Sequence, residues 1–179
     1  MLAHTARPHL ASLAACVALC LVLFLSETTA VARGDLGRPG TEVILEVTGA
    51  VAHRNAPAAA QFDRAMLEAL GTTTMRTSTP WTDGILEFRG VLARDLLESV
   101  GADGEVVRAS ALNDYVIDIP IADFSAYPVL LAFEIDGNPL GVRDKGPLWI
   151  VYPLDHYEDL QDRRTMRKMV WQLRELRVR

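Results

Sequence analysis

The chain has two cysteines, and both, Cys16 and Cys20, lie inside an apolar amino-terminal run. From Leu21 to Arg179 there is no thiol at all. That long stretch has no disulfide framework, no cysteine nucleophile and no thiolate metal ligand, so it must fold on a hydrophobic core alone. The apolar run, Leu10 to Leu25, is interrupted only by Ser12 and follows a weakly positive start at Arg7. Its length suits a signal-peptide core and falls short of the roughly 20 residues that a membrane span needs. Ala30-Val31-Ala32 then places small residues at both positions that a signal peptidase reads. Residues 1–32 are therefore expected to be a signal peptide cleaved after Ala32, with Ala30 the neighbouring alternative and a retained anchor the competing reading. Cys20 follows the bulky Leu19, where a lipobox requires a small residue. No later stretch is long and apolar enough to span a bilayer. The expected location is periplasmic or secreted, with no stable membrane insertion once the leader is gone.

The charge balance excludes one class of partner. Lys and Arg number 18 against 23 Asp and Glu, for a net charge of -5. Arg7 and Glu27 cancel in the leader, so the mature chain keeps that value. A mildly acidic domain has no electrostatic footprint for nucleic acid. Basic residues concentrate near the end, from Arg163 and Arg164 through Arg167 and Lys168 to Arg174, Arg177 and Arg179. Met166, Met169, Trp171 and Leu173 interleave with them, which reads as the solvated face of a terminal element.

About 147 residues after Ala32 suffice for one domain with a real core. Residues 33–40 are Gly- and Pro-containing and read as a linker, leaving 41–179 as the domain. Residues 41–47 alternate as a strand should, with Val43, Leu45 and Val47 on one face. Residues 58–70 present Phe62, Met66, Leu67 and Leu70 at helical spacing before Gly71, predicting a helix. The Thr-rich stretch 72–79 reads as a strand, Trp81-Thr82-Asp83-Gly84 as a turn, 85–91 as a strand and 92–100 as a short helix. Further strands are expected over 105–109, 115–119, 129–135, 148–152 and 172–178, with a helix over 162–170. Asp136-Gly137 marks a tight turn. Mixed strands with few helices, not in strict alternation, predict an α+β domain with a mixed sheet.

General catalytic signatures are missing. The mature chain's histidines, His53 and His156, lie far apart, and no His/Cys/Asp/Glu grouping has zinc spacing. There is no phosphate-binding glycine loop and no nucleophile elbow. Three polar and aromatic groups remain at the expected strand ends, where sites usually sit. The first is Arg76, Thr77, Ser78, Thr79 and Trp81; the second is Asn113-Asp114-Tyr115; the third is Arg143-Asp144-Lys145-Gly146-Pro147. Each also has a plain reading, as β-propensity, turn chemistry or paired surface charge. Trp81 is the better candidate for a pocket wall, Trp149 and Tyr152 read as core, and Tyr115 is left open.

Leu130-Leu-Ala-Phe-Glu-Ile-Asp-Gly-Asn-Pro-Leu140, followed by Arg143-Asp-Lys-Gly-Pro-Leu-Trp-Ile-Val-Tyr-Pro153, resembles the carboxyl half of the sulfite-oxidase-type molybdopterin-binding domain. Met75-Arg-Thr-Ser-Thr-Pro-Trp81, with Phe88-Arg-Gly-Val91 and Leu96-Leu97, resembles the segment that carries the family's metal-binding cysteine. Trp171 to Val178 matches its closing segment, so the resemblance covers roughly residues 72–178 and is nearest to the short exported bacterial branch. It implies a sulfite-oxidase-like fold and a molybdopterin cofactor, for which the residues at the strand ends, Arg76, Thr77, Thr79, Trp81, Asn113, Asp114, Tyr115, Arg143 and Lys145, are by residue type and position the candidate binding residues. Three departures stand beside it. The molybdenum-ligating cysteine would fall near Thr77, His-Gly is replaced by Lys145-Gly146, and an oxyanion-binding arginine is replaced by Trp149. In the family, molybdenum depends on a soft thiolate, so sulfite oxidation itself is not expected.

Three readings stay open at this point. One is a molybdopterin-type oxidoreductase that holds the pterin without a cysteine ligand, its phosphate on Arg76, Arg143 and Lys145. Another is a metal-free module on the same fold, binding a small-molecule ligand or a periplasmic or membrane protein partner. The last is an interaction domain with no small ligand.

Overall fold

The computed structural model describes residues 35–179; the expected signal peptide and the start of the linker lie outside the described residues. Ten strands, four α-helices and two 3-10 turns follow one another from there, the strands forming two five-stranded sheets. The first sheet contains β1 (Leu45–Gly49), β2 (Ala59–Phe62), β5 (Val106–Ala111), β6 (Val116–Pro120) and β10 (Leu173–Val178). Its order is β2-β1-β10-β5-β6, and only the β1–β10 pair is parallel. The carboxyl-terminal strand thus sits at the centre of the sheet that begins the fold. The second sheet contains β3 (Thr73–Ser78), β4 (Ile85–Leu92), β7 (Leu130–Ile135), β8 (Asn138–Pro139) and β9 (Trp149–Val151). All of its pairings are antiparallel, with β7 between β4 and the β8 and β9 strands.

Alternation explains which residues the sheets bury. Leu45 and Val47 of β1 point inward with Val107, Ala109 and Ala111 of β5, while Glu46 and Thr48 between them are less buried. β7 and β9 behave differently: Leu130, Leu131, Ala132 and Phe133, then Trp149, Ile150 and Val151, are all buried. Both are strands covered on two faces, which is why they read as continuous apolar runs. One core cluster draws on both sheets. Asp136 and Gly137 take positive φ (47° and 75°) and turn β7 into β8, as the dipeptide requires. Gly90 sits at the register shift between β4 and β7, where a Cβ would fall 2.1 Å from the Leu131 carbonyl oxygen, so no other residue fits.

Four short helices complete the domain: α1 (Arg64–Ala69), α2 (Ala93–Ser99), α3 (Ile121–Ala126) and α4 (Arg163–Lys168). Among the described residues no helix is long and apolar enough to cross a membrane. The mixed sheets with few helices make this an α+β fold, as the strand pattern led us to expect.

Two expectations require correction. The helix expected over 58–70 is a strand followed by a helix, because Asp63 breaks the run. Its carboxylate accepts from the Met66 amide at 2.9 Å as the α1 N-cap, and from the Gly40 and Thr41 amides at 2.7 and 3.0 Å. The residues before it, Ala59–Phe62, instead pair with β1. The first strand also begins at Leu45 rather than Thr41, since Thr41 is held to Asp63 by its amide and its hydroxyl.

Candidate functional site

A cleft of about 410 Å³ opens beside α4, and its walls come from four places in the sequence. Trp81 enters from the β3–β4 turn, Asn113 and Tyr115 from the β5–β6 turn, and Arg163, Met166 and Arg167 from α4. Met169, Val170 and Trp171, between α4 and β10, form the remainder. The wall is therefore mostly aromatic and thioether surface, with two guanidinium groups on it.

The aromatic residues form one interlocked set. Trp81 meets Trp171 edge to face at 5.1 Å between centroids, and Trp149 at 6.2 Å. Trp149 in turn contacts Trp171 at 6.4 Å and Phe88 at 5.5 Å, again in tilted geometry. Trp149 is fully buried and its indole N–H donates to the Met169 carbonyl at 3.2 Å, so it is the floor on which the two partly exposed indoles rest. Lys145 places its ammonium 5.5 Å from the Trp149 ring. Thr79 holds the Trp81 turn, its hydroxyl accepting from the Trp81 amide at 3.2 Å and lying 2.9 Å from the Thr82 hydroxyl.

Hydrogen bonds around Gln172 bring two of the three predicted groups, the Asn113 turn and the Lys145 loop, beside one strand start. The Gln172 amide donates to the Lys145 carbonyl at 2.8 Å, and its side-chain amide donates to the Val142 carbonyl at 2.7 Å. The Leu112 amide donates to the Gln172 carbonyl at 2.8 Å. The Lys145 loop and the Asn113 turn thus flank the strand start that bears Trp171. Tyr115 closes the arrangement by donating its hydroxyl to the Arg167 carbonyl at 3.0 Å.

Helix α4 is held by charge at both ends. The Asp162 carboxylate caps it through the Thr165 amide at 2.7 Å, and that bond holds its carboxyl below the usual carboxylate range. Lys168 donates to Asp123 on α3 at 2.7 Å, and the same carboxylate oxygen accepts from the Tyr152 hydroxyl at 2.8 Å. Burial, followed by the nearby Asp123 charge, raises the Tyr152 phenol far above its ordinary value. Arg163 and Arg167 make no ion pair among the described residues.

Of the residues singled out from sequence, Trp81, Asn113 and Tyr115 line the cleft, and Lys145 stands behind its floor. Arg76 does not: alternation along β3 buries Met75 and Thr77 and leaves Arg76 on the exposed side. Arg143 lies exposed on a 3-10 turn (Val142–Asp144) away from the cleft wall. Asp114, at φ 62°, pairs loosely with Arg174 at 3.7 Å. The phosphate clamp expected from Arg76, Arg143 and Lys145 is thus not assembled. The cleft's cations are Arg163 and Arg167, which are exposed, as a solvated face requires, and also stand on the cleft wall. Their spacing of four residues, which stacks side chains on one helical face, was the available signal.

Thr77 decides whether molybdenum fits. The residue has no solvent exposure, and its hydroxyl donates to the Ser78 carbonyl and accepts from the Asp155 amide, each at 3.3 Å. Ser78 reinforces that seam with its amide and hydroxyl on the Asp155 carboxylate, at 2.6 and 2.7 Å. A neutral, satisfied hydroxyl supplies neither the softness nor the charge of a thiolate. Among the described residues there is also no group of three or more His, Cys, Asp or Glu that could hold a metal ion. The residues present do not fit a protein-ligated molybdenum.

Fold and cleft together define a small two-sheet α+β domain with an aromatic ligand-sized cleft at the strand ends. Residues 45–155 match the family model of the oxidoreductase molybdopterin binding domain, and the chain belongs to that family. The crystal structure of the sulfane dehydrogenase SoxCD from Paracoccus pantotrophus shares the fold, at a TM-score of 0.56 and 20% identity. The alignment covers 75% of this chain but only 37% of the SoxCD chain. No curated protein matches the sequence. The matched family segment ends at residue 155, so Arg163, Arg167 and Trp171 lie beyond it.

Proposed function

We propose that this protein is an exported, metal-free ligand-binding module built on the molybdopterin-binding oxidoreductase fold, acting through the cleft that Trp81 and Trp171 line. The observation that carries this reading is Thr77. It occupies the place where the family resemblance puts the molybdenum cysteine, is wholly buried, and has its hydroxyl committed to Ser78 and Asp155. Removal of the soft ligand leaves the fold intact, because β3 depends on its pairing with β4 and on the Asp155 seam rather than on a metal. The cleft meanwhile has the size and the mixture of apolar wall and few polar groups that small-molecule sites have. Export is supported by the apolar leader and the Ala30-Val31-Ala32 cleavage pattern, and it places the binding function in the periplasm or outside the cell.

The test is chemical. Protein isolated after export from a host that makes the molybdenum cofactor is assayed for molybdenum by mass spectrometry and for pterin by fluorescence after oxidation. Both should be far below one equivalent in folded protein. Near-stoichiometric molybdenum and pterin would overturn the reading and restore the oxidoreductase. Pterin without metal would overturn it in favour of a pterin held without a thiolate.

A further inference from the structure

The cleft also specifies what kind of molecule it accepts, and this step rests on the reading of the cleft as a ligand site. We infer that its ligand is an organic anion with a flat aromatic body and a single carboxylate or sulfonate. Three observations bear on the choice. The first is the unpaired charge: Arg163 and Arg167 stand on the same wall, and neither forms an ion pair or a side-chain hydrogen bond among the described residues. With no carboxylate set against them, they favour a ligand that brings one, and a guanidinium offers it paired donors. A cationic ligand would meet two like charges.

The second observation is that the neutral groups the wall has left to give are donors. The Trp81 and Trp171 indole N–H groups and the Asn113 amide nitrogen make no hydrogen bond among the described residues, which suits a ligand that brings acceptors. The Tyr115 hydroxyl donates to the Arg167 carbonyl, and the indole N–H of the floor residue Trp149 donates to the Met169 carbonyl. Asn113 is the one amide side chain on the wall, and its oxygen already accepts from the Tyr115 amide. A ligand rich in donors, such as a sugar, would bury hydroxyl groups with few acceptors opposite them, at a cost that apolar contact does not recover. The third is the shape of the apolar surface. Trp81 and Trp171 stand nearly perpendicular, with 83° between their planes, so a flat ring laid on one is met by the edge of the other.

Two dyes of nearly the same body separate these contributions. Anilinonaphthalene sulfonate carries one sulfonate; phenyl-naphthylamine is its neutral counterpart. Each is titrated into the exported protein, read by dye emission and by quenching of tryptophan fluorescence. Their affinities are then compared for the wild type, an Arg163→Gln/Arg167→Gln variant and an Arg163→Lys/Arg167→Lys variant. Circular dichroism establishes that each is folded. The sulfonated dye should bind saturably and more tightly than the neutral one, weaken about tenfold in the glutamine variant and recover in part in the lysine variant. Its binding should also fall with added salt, while the neutral dye is unmoved by either change. Equal affinities for the two dyes, insensitive to the arginines, would overturn the anion assignment and leave the ligand site standing. Failure of both dyes to bind or quench in folded protein would overturn the ligand site and the anion assignment together.

Discussion

Asp123 is the point at which stability and the cleft meet, and its removal has a calculable effect. One oxygen of this carboxylate accepts from the Tyr152 hydroxyl at 2.8 Å and from the Lys168 ammonium at 2.7 Å. Tyr152 is fully buried, so Asp123→Ala leaves a phenolic hydroxyl without a partner, at a cost of about 1–3 kcal/mol. The Lys168 pair is partly shielded, its side chains 21% and 17% exposed, and contributes about 1 kcal/mol more. The expected loss is about 2–4 kcal/mol, which for a domain of this size lowers Tm by about 6–12 °C. Tyr152→Phe should cost less, about 1 kcal/mol, because Asp123 keeps its lysine. The double variant should be less destabilised than the two losses added together, since the unpaired hydroxyl is no longer present. Urea unfolding followed by circular dichroism measures all three. A loss below about 0.5 kcal/mol for Asp123→Ala, or strict additivity in the double variant, would refute the argument that this carboxylate ties α3 and the buried tyrosine to the helix bearing the cleft's arginines.

Two other outcomes follow from the same structure. Hydrogen bonds from Met66 above all, and from Gly40 and Thr41, hold the Asp63 carboxyl below its ordinary value. A depressed folded value means that its stabilisation is present above the unfolded value of about 4 and is lost as pH falls through the folded one; Tm measured from pH 5 downward should therefore drop less steeply in Asp63→Asn than in wild type, and an equal slope would contradict this. Amino-terminal sequencing of the exported protein should begin at Arg33, or at Val31 if the alternative site is used, and an intact Met1 would show that the leader is retained as an anchor.

Much of the fold was legible because burial on both faces writes itself into sequence. The runs that became β7 and β9 are apolar without interruption, and β3 and β4 were bounded by recognisable turns. The stretch from Ala58 to Leu70 was not legible for a physical reason. A four-residue strand and a six-residue helix share one apolar series whose spacing happens to be helical, and only the cap at Asp63 divides them. Helix α3, starting directly after Pro120, was missed because six residues are too few to show a period. At the candidate site, turn-borne residues were easier to find than cations. Trp81, Asn113 and Tyr115 reach the cleft because strand ends gather there. A positive charge carries no direction of its own. Arg76 is set away from the cleft by the alternation of β3, whereas Arg163 and Arg167, also exposed, stand on the cleft wall because the folded chain places α4 beside it.

The central claim, that this chain keeps the molybdopterin-binding fold without its metal, is tested most directly by isolating the protein from two hosts, one able and one unable to make the molybdenum cofactor. Native mass spectrometry of the two preparations should give the polypeptide mass alone in both, with the same Tm, since nothing binds the folded state in one and not the other. A heavier species carrying molybdenum and pterin in the cofactor-proficient host, with a raised Tm, would contradict the account.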